Sequence, residues 1–475
     1  MSHLEELSVN ANARTWCILG LFALLVAFLG GASRSDAMQI ALLRPLSALF
    51  MLTYLVQENR QENRKALPIG VFLGLAAILM AIQLVPLPPS VWHALPLGES
   101  IDQIDIVLGL EGVWRPITMA PSRTLNSLLS ICVPIVAYAL VYFNNLKRDD
   151  ALFLIAGLVT VDSLLGLGQV LSGRNSPLYL YEITNRGAPV GIFANENHST
   201  VFSVLGLLVF TRLGLSRFSG KNRAFFIAWF VIGFGLTLLA VLISGSRAGL
   251  ALAGFSLLVS LIMFFLARIE KTPLNASSNR LLLWLSRADI VLLALIVSVA
   301  VMILLFFQLE RTPAFADLSN HDPFANIRWQ IGPILQNMVS DFWLTGSGIG
   351  SFEKVYHFYE PSNLLLPRYV NQAHNDWAQL FIEGGLPAAA LILAILYWVI
   401  ARIITLFRES SNAMMKLVFW TAILIVICSA SIVDYPLRTP SFQVVTIWLL
   451  YALAVEPRPA RNGKARARMR MPKSP

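Results

Sequence analysis

Four short stretches of this chain carry residues able to grip a phosphate or move a proton. The first is Asn185-Arg186-Gly187 with the run Gly191-Ile192-Phe193-Ala194-Asn195-Glu196-Asn197-His198-Ser199. The second is Ser244-Gly245-Ser246-Arg247-Ala248-Gly249. The third joins Arg328-Trp329 to Gly346-Ser347-Gly348-Ile349-Gly350-Ser351-Phe352. The fourth is His374-Asn375-Asp376-Trp377-Ala378-Gln379, followed by Glu383-Gly384-Gly385. Arginine is permanently charged and its planar fork matches phosphate oxygens. Imidazole can act as a general base near neutral pH. His374 sits inside such a signature; His3, His93, His321 and His357 do not.

Each stretch also has a purely structural reading. Ser246-Arg247-Ala248-Gly249 can be a tight turn whose arginine reaches lipid headgroups. The glycine run Gly346–Gly350 looks like a dinucleotide fingerprint, but no strand or βαβ unit surrounds it, so close backbone approach is the better account. Asn195, Asn197 and His198 can cap the helix that follows. At 100° per residue, Gln372, Asp376, Gln379 and Glu383 fall on one helical stripe, with His374, Trp377 and Phe381 facing the other way. This predicts His374 at the helix entrance, aimed into a site, with the stripe packed elsewhere. Asn375 then orients the imidazole or caps the helix, and Glu383 braces the helix. Gly384-Gly385 should end it and Pro387 begin the next span.

The elements that must position these residues follow from composition. The 475-residue chain is 56% hydrophobic and 13% charged, about half the roughly 25% charge of soluble domains. Its mean hydropathy is +0.66. Apolar runs of membrane-crossing length predict an all-α integral membrane fold of about twelve helices, placed at Trp16–Ala32, Met38–Val56, Leu67–Val85, Thr124–Phe143, Leu152–Leu171, Ser199–Leu215, Ala224–Ile243, Leu250–Ala267, Ile290–Gln308, Leu386–Leu406, Leu417–Val433 and Ser441–Val455. Residues 1–308 form helices one to nine, 309–385 a large helical outer loop, 386–456 helices ten to twelve, and 457–475 a basic disordered tail. Gly31-Ala32-Ser33-Arg34 is a poor cleavage site, so the first span reads as an anchor. Cys17, Cys132 and Cys428 lie in apolar runs and read as packing residues.

With the N-terminus inside, 24 of the 36 Lys and Arg residues fall on the inner side and 11 on the outer, with Arg44 within a span. This bias fits the positive-inside rule and puts both termini in the cytoplasm. Seven of the inner charges lie in the tail between Arg458 and Lys473, so the net charge of +9 points to anionic lipid, not nucleic acid. All four signatures then face outward. Short outer loops normally avoid Lys and Arg, so Arg186 and Arg247 need a reason to be there.

In order and sidedness the set resembles the O-antigen ligase and polymerase superfamily, membrane enzymes of a GT-C-like class that act on undecaprenyl-linked glycans. The matching residues are Arg186 with Gly-Ile-Phe-Ala-Asn-Glu-Asn-His, the Ser-Arg-Ala-Gly at Ser246–Gly249, Arg328-Trp329 with Gly346–Gly350, and His374-Asn375 with Glu383-Gly384. The resemblance implies a catalytic base at His374 and pyrophosphate contacts at Arg186 and Arg247, with Arg328 a third. Asn375, Glu383, Asn195, Asn197 and Ser246 would support them. It implies an inverting glycosyl transfer without metal or cofactor, in the bacterial inner membrane with the site periplasmic. The donor would be an undecaprenyl-pyrophosphate-linked glycan. The acceptor would be a lipid A–core sugar for a ligase, or a growing glycan for a polymerase. Asn-Glu-Asn-His is an unusual form of its run, which leaves His198 without a role. A transporter is the rival class, with Asp162 as an intramembrane proton site. Absent repeat symmetry and signatures crowded on one side weigh against it.

Overall fold

The computed structural model describes residues 2–34, 36–55, 63–217, 223–271, 330–365, 370–409 and 413–457. The expected ninth span, together with Arg328 and Trp329 and the basic tail, lies outside the described residues. Helix dominates what is described. The first part contains α1 (Ser2–Leu29), α2 (Met38–Leu55), α3 (Leu67–Gln83), the short α4 (Pro89–Trp92), α5 (Gly98–Leu108), α6 (Pro121–Ser130) and α7 (Cys132–Phe143). Then come α8 (Arg148–Ser172), α9 (Glu196–Arg217), α10 (Arg223–Ile243) and α11 (Arg247–Lys271). The last part holds α12 (Gly332–Phe342), α13 (Phe352–Tyr359), α14 (Asp376–Glu409), α15 (Ala413–Val433) and α16 (Pro440–Ala454).

Among the described residues, seven helical runs are long and apolar enough to cross a membrane. Four shorter apolar helices, Ala13–Leu29, Met38–Leu52, Ile227–Ile243 and Pro440–Ala454, fall on further expected spans. The all-α expectation needs one correction. Pro86-Leu87 and Arg115-Pro116 form a two-residue antiparallel pair. Prolines at 86, 88, 89 and 116 hold these segments extended, so they pair where the chain leaves and re-enters the bundle.

α9 runs through the bundle centre. Phe202, Leu205, Leu208 and Val209 are fully buried, in one core with residues of α1, α7, α8, α10, α15 and α16. A second, smaller core forms among described residues between 331 and 382. Ile334, Leu335 and Met338, spaced as a helix face, pack with Phe342, Phe352, Val355 and Tyr356.

The two ends of the bundle carry different polar contacts. At one end the buried carboxylate of Glu456 collects Arg148, Arg212 and Lys416 and the Trp420 indole N–H. All five lie in or beside segments expected inside. At the other end, the amide of Ala194 donates to the Gly31 carbonyl, that of Ser441 to Gly30, and that of Met119 to Ser347. Ala194, Met119 and Ser347 lie in segments expected outside, and Gly30, Gly31 and Ser441 at the outer ends of expected spans.

Candidate active site

Positioning of the first signature begins in α8. The Asp162 carboxylate accepts the Ile192 amide (2.8 Å) and the hydroxyls of Ser199 and Ser203 (3.0 and 3.4 Å). Gln169 exchanges two hydrogen bonds with the backbone of Gly191, both 2.9 Å. Gly191 has φ +57°, and a Cβ there would lie 2.0 Å from Asp162, so only glycine fits the turn. Asp162 is thus an anchor for the loop that leads into α9, which accounts for a buried acid without invoking transport. Asn195 caps α9 by accepting the Asn197 amide at 2.9 Å, as the structural reading has it.

The start of α9 also meets the second signature. The Gly245 amide donates to Glu196 at 3.3 Å. Ser246 caps α11, accepting the Gly249 amide at 3.1 Å. Arg247 is therefore the first residue of α11 and is exposed. Arg186 is exposed too; its guanidinium lies 5.4 Å from the Tyr179 ring centre and donates to the Arg174 carbonyl at 3.3 Å. Asn185 beside it accepts the Glu196 amide at 3.2 Å. Two helix N-termini, those of α9 and α11, meet in this region, and each presents the positive end of its peptide dipoles to an anion.

The third and fourth signatures are a single structural unit. The Ser347 amide donates to Ile382 O and the Gly348 amide to Glu383 O, both 2.9 Å. A Cβ on Gly346 would lie 2.3 Å from the Glu383 carbonyl. Close backbone approach, not nucleotide binding, explains the glycine run. α14 breaks at Gly385 (φ 57°, ψ −154°) with Pro387 in the turn that follows, where the Gly-Gly-x-Pro pattern predicted a stop and a restart.

His374 stands at the entrance of α14 with φ +50°, a left-handed conformation uncommon outside glycine. Such strain, held by its surroundings, gathers at functional sites. Asn375 accepts the Ala378 amide at 3.0 Å, so it caps the helix and does not orient the imidazole. A carboxylate that the sequence reading missed stands nearby. His374 Nδ1 lies 3.6 Å from Asp434 Oδ1. His198 Nε2 lies 3.7 Å from the same oxygen. Asn197 donates to Asp434 Oδ2 at 2.8 Å. The Tyr435 ring meets both imidazoles edge-on, at 4.9 and 5.0 Å. Burial pushes the Asp434 carboxyl up, but the His198 and His374 imidazoles outweigh it and hold Asp434 well below the usual carboxylate range. His198 thereby acquires a place beside the candidate base, where the sequence left it unassigned. The signal that could have found Asp434 was its position: an acid just past a span on the outer side, four residues before the outer Arg438.

In the polar stripe Gln379 and Glu383 are buried, and Asp376 meets Ser431, Leu437 and Arg438. Gln372, Gln379 and Glu383, with Trp377, also border a large cavity, and His374 faces Asp434. Glu383 does brace the helix. Its buried carboxylate accepts from the Phe352 amide (3.2 Å), Gln379 (3.1 Å) and Arg438 (3.0 Å). Removing one partner of a buried pair is strongly destabilising. Arg438 keeps Asp376 at 3.4 Å, so Glu383→Gln should cost roughly 2–3 kcal/mol, below the usual full penalty. Thermal unfolding in detergent should show that loss, with turnover per folded molecule largely kept. A normal midpoint with lost turnover would instead give Glu383 a direct chemical role.

Fold and site together define a polytopic helical membrane protein with a histidine–carboxylate pair and exposed arginines on one face. Residues 232–393 match the family model described as O-antigen ligase, and this match supports the O-antigen ligase superfamily for the chain. The matched stretch contains Arg247, the glycine run, His374 and Glu383; Arg186, His198 and Asp434 lie outside it. No curated protein matches the chain.

Proposed function

We propose that this protein is an O-antigen ligase-like glycosyltransferase. It moves a glycan from undecaprenyl pyrophosphate to a hydroxyl of a lipid A–core sugar on the periplasmic face of the bacterial inner membrane. The observation that best supports the reading is the Asp434–His374 pair. A carboxylate facing Nδ1 favours the tautomer with its proton there, which leaves Nε2 free as the base. The acceptor oxygen attacks the anomeric carbon as its proton passes to Nε2. The bond from that carbon to the pyrophosphate oxygen breaks, with inversion. Arg186 and Arg247, and Arg328 as a third contact, offset the charge that builds on the leaving pyrophosphate. No metal or cofactor has a part in this scheme. At 3.6 Å the Nδ1–Asp434 separation is longer than a hydrogen bond, and a shift of roughly 0.5 Å would make it one.

Gel analysis of surface glycan in a deletion strain tests the function. A ligase predicts loss of lipid A-linked ladders with accumulation of lipid-linked polymer. Single repeat units on lipid A would instead make the protein a polymerase of the same family. Unchanged ladders would remove both.

A further inference from the structure

Between the end of α3 and the start of α6 the usual rule of burial is inverted. In α5 the acid Asp105 is 2% exposed, while Val107 is 84% exposed. A helix surrounded by water does the reverse. At 100° per residue α5 has three faces. Gly98 and Asp105 are buried on the first. Ile104, Val107 and Leu108, all exposed, make an apolar second. Glu99 and Asp102 lie on the third, together with Ile106. Just past the helix Leu110, Val113 and Trp114 are exposed as well, Trp114 at 61%.

Contacts at the base of this segment fix its depth. On α3 the exposed residues Leu75, Ile78 and Ile82 form a stripe that continues to Val85, the kind of surface a span turns to lipid. The next residue, Pro86, opens the strand pair, in which Leu87 lies opposite Arg115. Arg115 Nε donates to Asp105 at 2.8 Å, and the guanidinium lies 5.7 Å from the Trp92 ring centre. The Trp92 indole donates to Val113 O at 3.0 Å. The Thr118 amide donates to Gln83 O at 3.0 Å. The middle of α5 is thus one ion pair away from a strand that begins where a span ends. That is the level at which hydrocarbon gives way to headgroups.

Charge narrows the kind of partner. From Gly98 to Trp114 the segment carries Glu99, Asp102, Asp105 and Glu111, and no Lys or Arg. It therefore has no side chain to grip a lipid phosphate, and its attraction to a membrane must come from apolar burial. An exposed indole at this level suits the interface, where tryptophan is enriched.

We propose that α5 is an interfacial helix, with its Ile104–Val107–Leu108 face in the hydrocarbon of the leaflet next to the Pro86 end of α3. The partner is the lipid surface, recognised through its acyl chains and not through headgroup charge. Beyond Thr118 the chain enters the candidate site, where the Met119 amide donates to Ser347 O at 2.9 Å. The lipid contact thereby ties the glycine run to the membrane surface. The inference rests on the chain spanning a membrane and not on the transfer reaction.

The test uses the full-length protein in proteoliposomes, with Cys17, Cys132 and Cys428 replaced by alanine and one spin label on a single new cysteine. Relaxation by oxygen, which concentrates in hydrocarbon, is compared with relaxation by a water-soluble nickel chelate. Labels at Ile104→Cys, Val107→Cys and Leu108→Cys should respond more to oxygen than to nickel. A label at Glu99→Cys, about 180° around the helix from Leu108, should respond more to nickel. The pattern should hold when phosphatidylglycerol in the vesicles is replaced by phosphatidylcholine. Dominance of nickel at all four positions puts the face in water and overturns the proposal. Protection of the apolar face from both reagents means that protein covers it, whether another part of the chain, a second copy or a partner, and overturns it too. Loss of the pattern in phosphatidylcholine overturns recognition through acyl chains. Should the cysteine variants not fold, a membrane-dissolved carbene probe on the unaltered protein decides the matter. Adducts on α5 support the contact; adducts confined to the spans overturn it.

Discussion

Replacing His374 with alanine is expected to lower transfer by about 10²–10⁴-fold, the usual contribution of a general base. The variant should still insert and still bind the lipid-linked donor, because the helix cap belongs to Asn375 and the bracing contacts to Glu383. Loss of the side chain also relieves no packing core, as the imidazole is about a quarter exposed. Asp434→Asn sharpens the test. Transfer should fall in Asp434→Asn as well, because the carboxylate beside Nδ1 of the imidazole is gone. The measurement is transfer by purified enzyme with lipid-linked glycan and acceptor across roughly pH 5.5–8.5, a range that brackets imidazole titration, with chelator present. Parental rates in His374→Ala, or a parent silenced by chelator, would sink the mechanism.

Arg247→Lys should weaken transfer by the equivalent of roughly 2–4 kcal/mol at the transition state, the scale seen when one preorganised oxyanion contact is lost. Lysine keeps the charge, so a purely electrostatic role would tolerate it. A bidentate grip on pyrophosphate oxygens needs the planar fork and would not. The position supports the second outcome: Arg247 is the first residue of α11, directly after the Ser246 cap, where the helix N-terminus adds its own attraction for an anion. Arg186→Lys should fall in the same direction. If both lysine variants keep near-parental rates at parental expression, the pyrophosphate assignment fails.

The helical architecture was legible because the membrane imposes it. Within hydrocarbon every backbone group must be paired inside its own segment, so apolar runs of sufficient length become helices whatever their neighbours. For this reason Leu67–Val85, Thr124–Phe143 and Leu417–Val433 lie close to the helices found. The caps at Asn195, Ser246 and Asn375 and the break at Gly385 were also local, since each depends on a few adjacent residues. The small Pro86–Pro116 strand pair was not read, because its partners lie thirty residues apart and neither has a strand pattern of its own.

The site divides along the same line. Sequence by itself picked out the residue types of the candidate site: arginines on short loops, a histidine at a helix entrance, glycines where backbones must touch. These follow from length, charge bias and local spacing, which act over one or two helical turns. Only the tertiary structure decided which of them work together. Asp434 reaches His374 and His198 across 60 and 236 residues of chain, and Glu383 reaches Arg438 across 55. It also decided that Gln372, Gln379 and Glu383 border a cavity, since that depends on which helices pack against α14. Such pairings depend on how the helices pack side by side, and helix packing is set by surfaces that no local periodicity encodes.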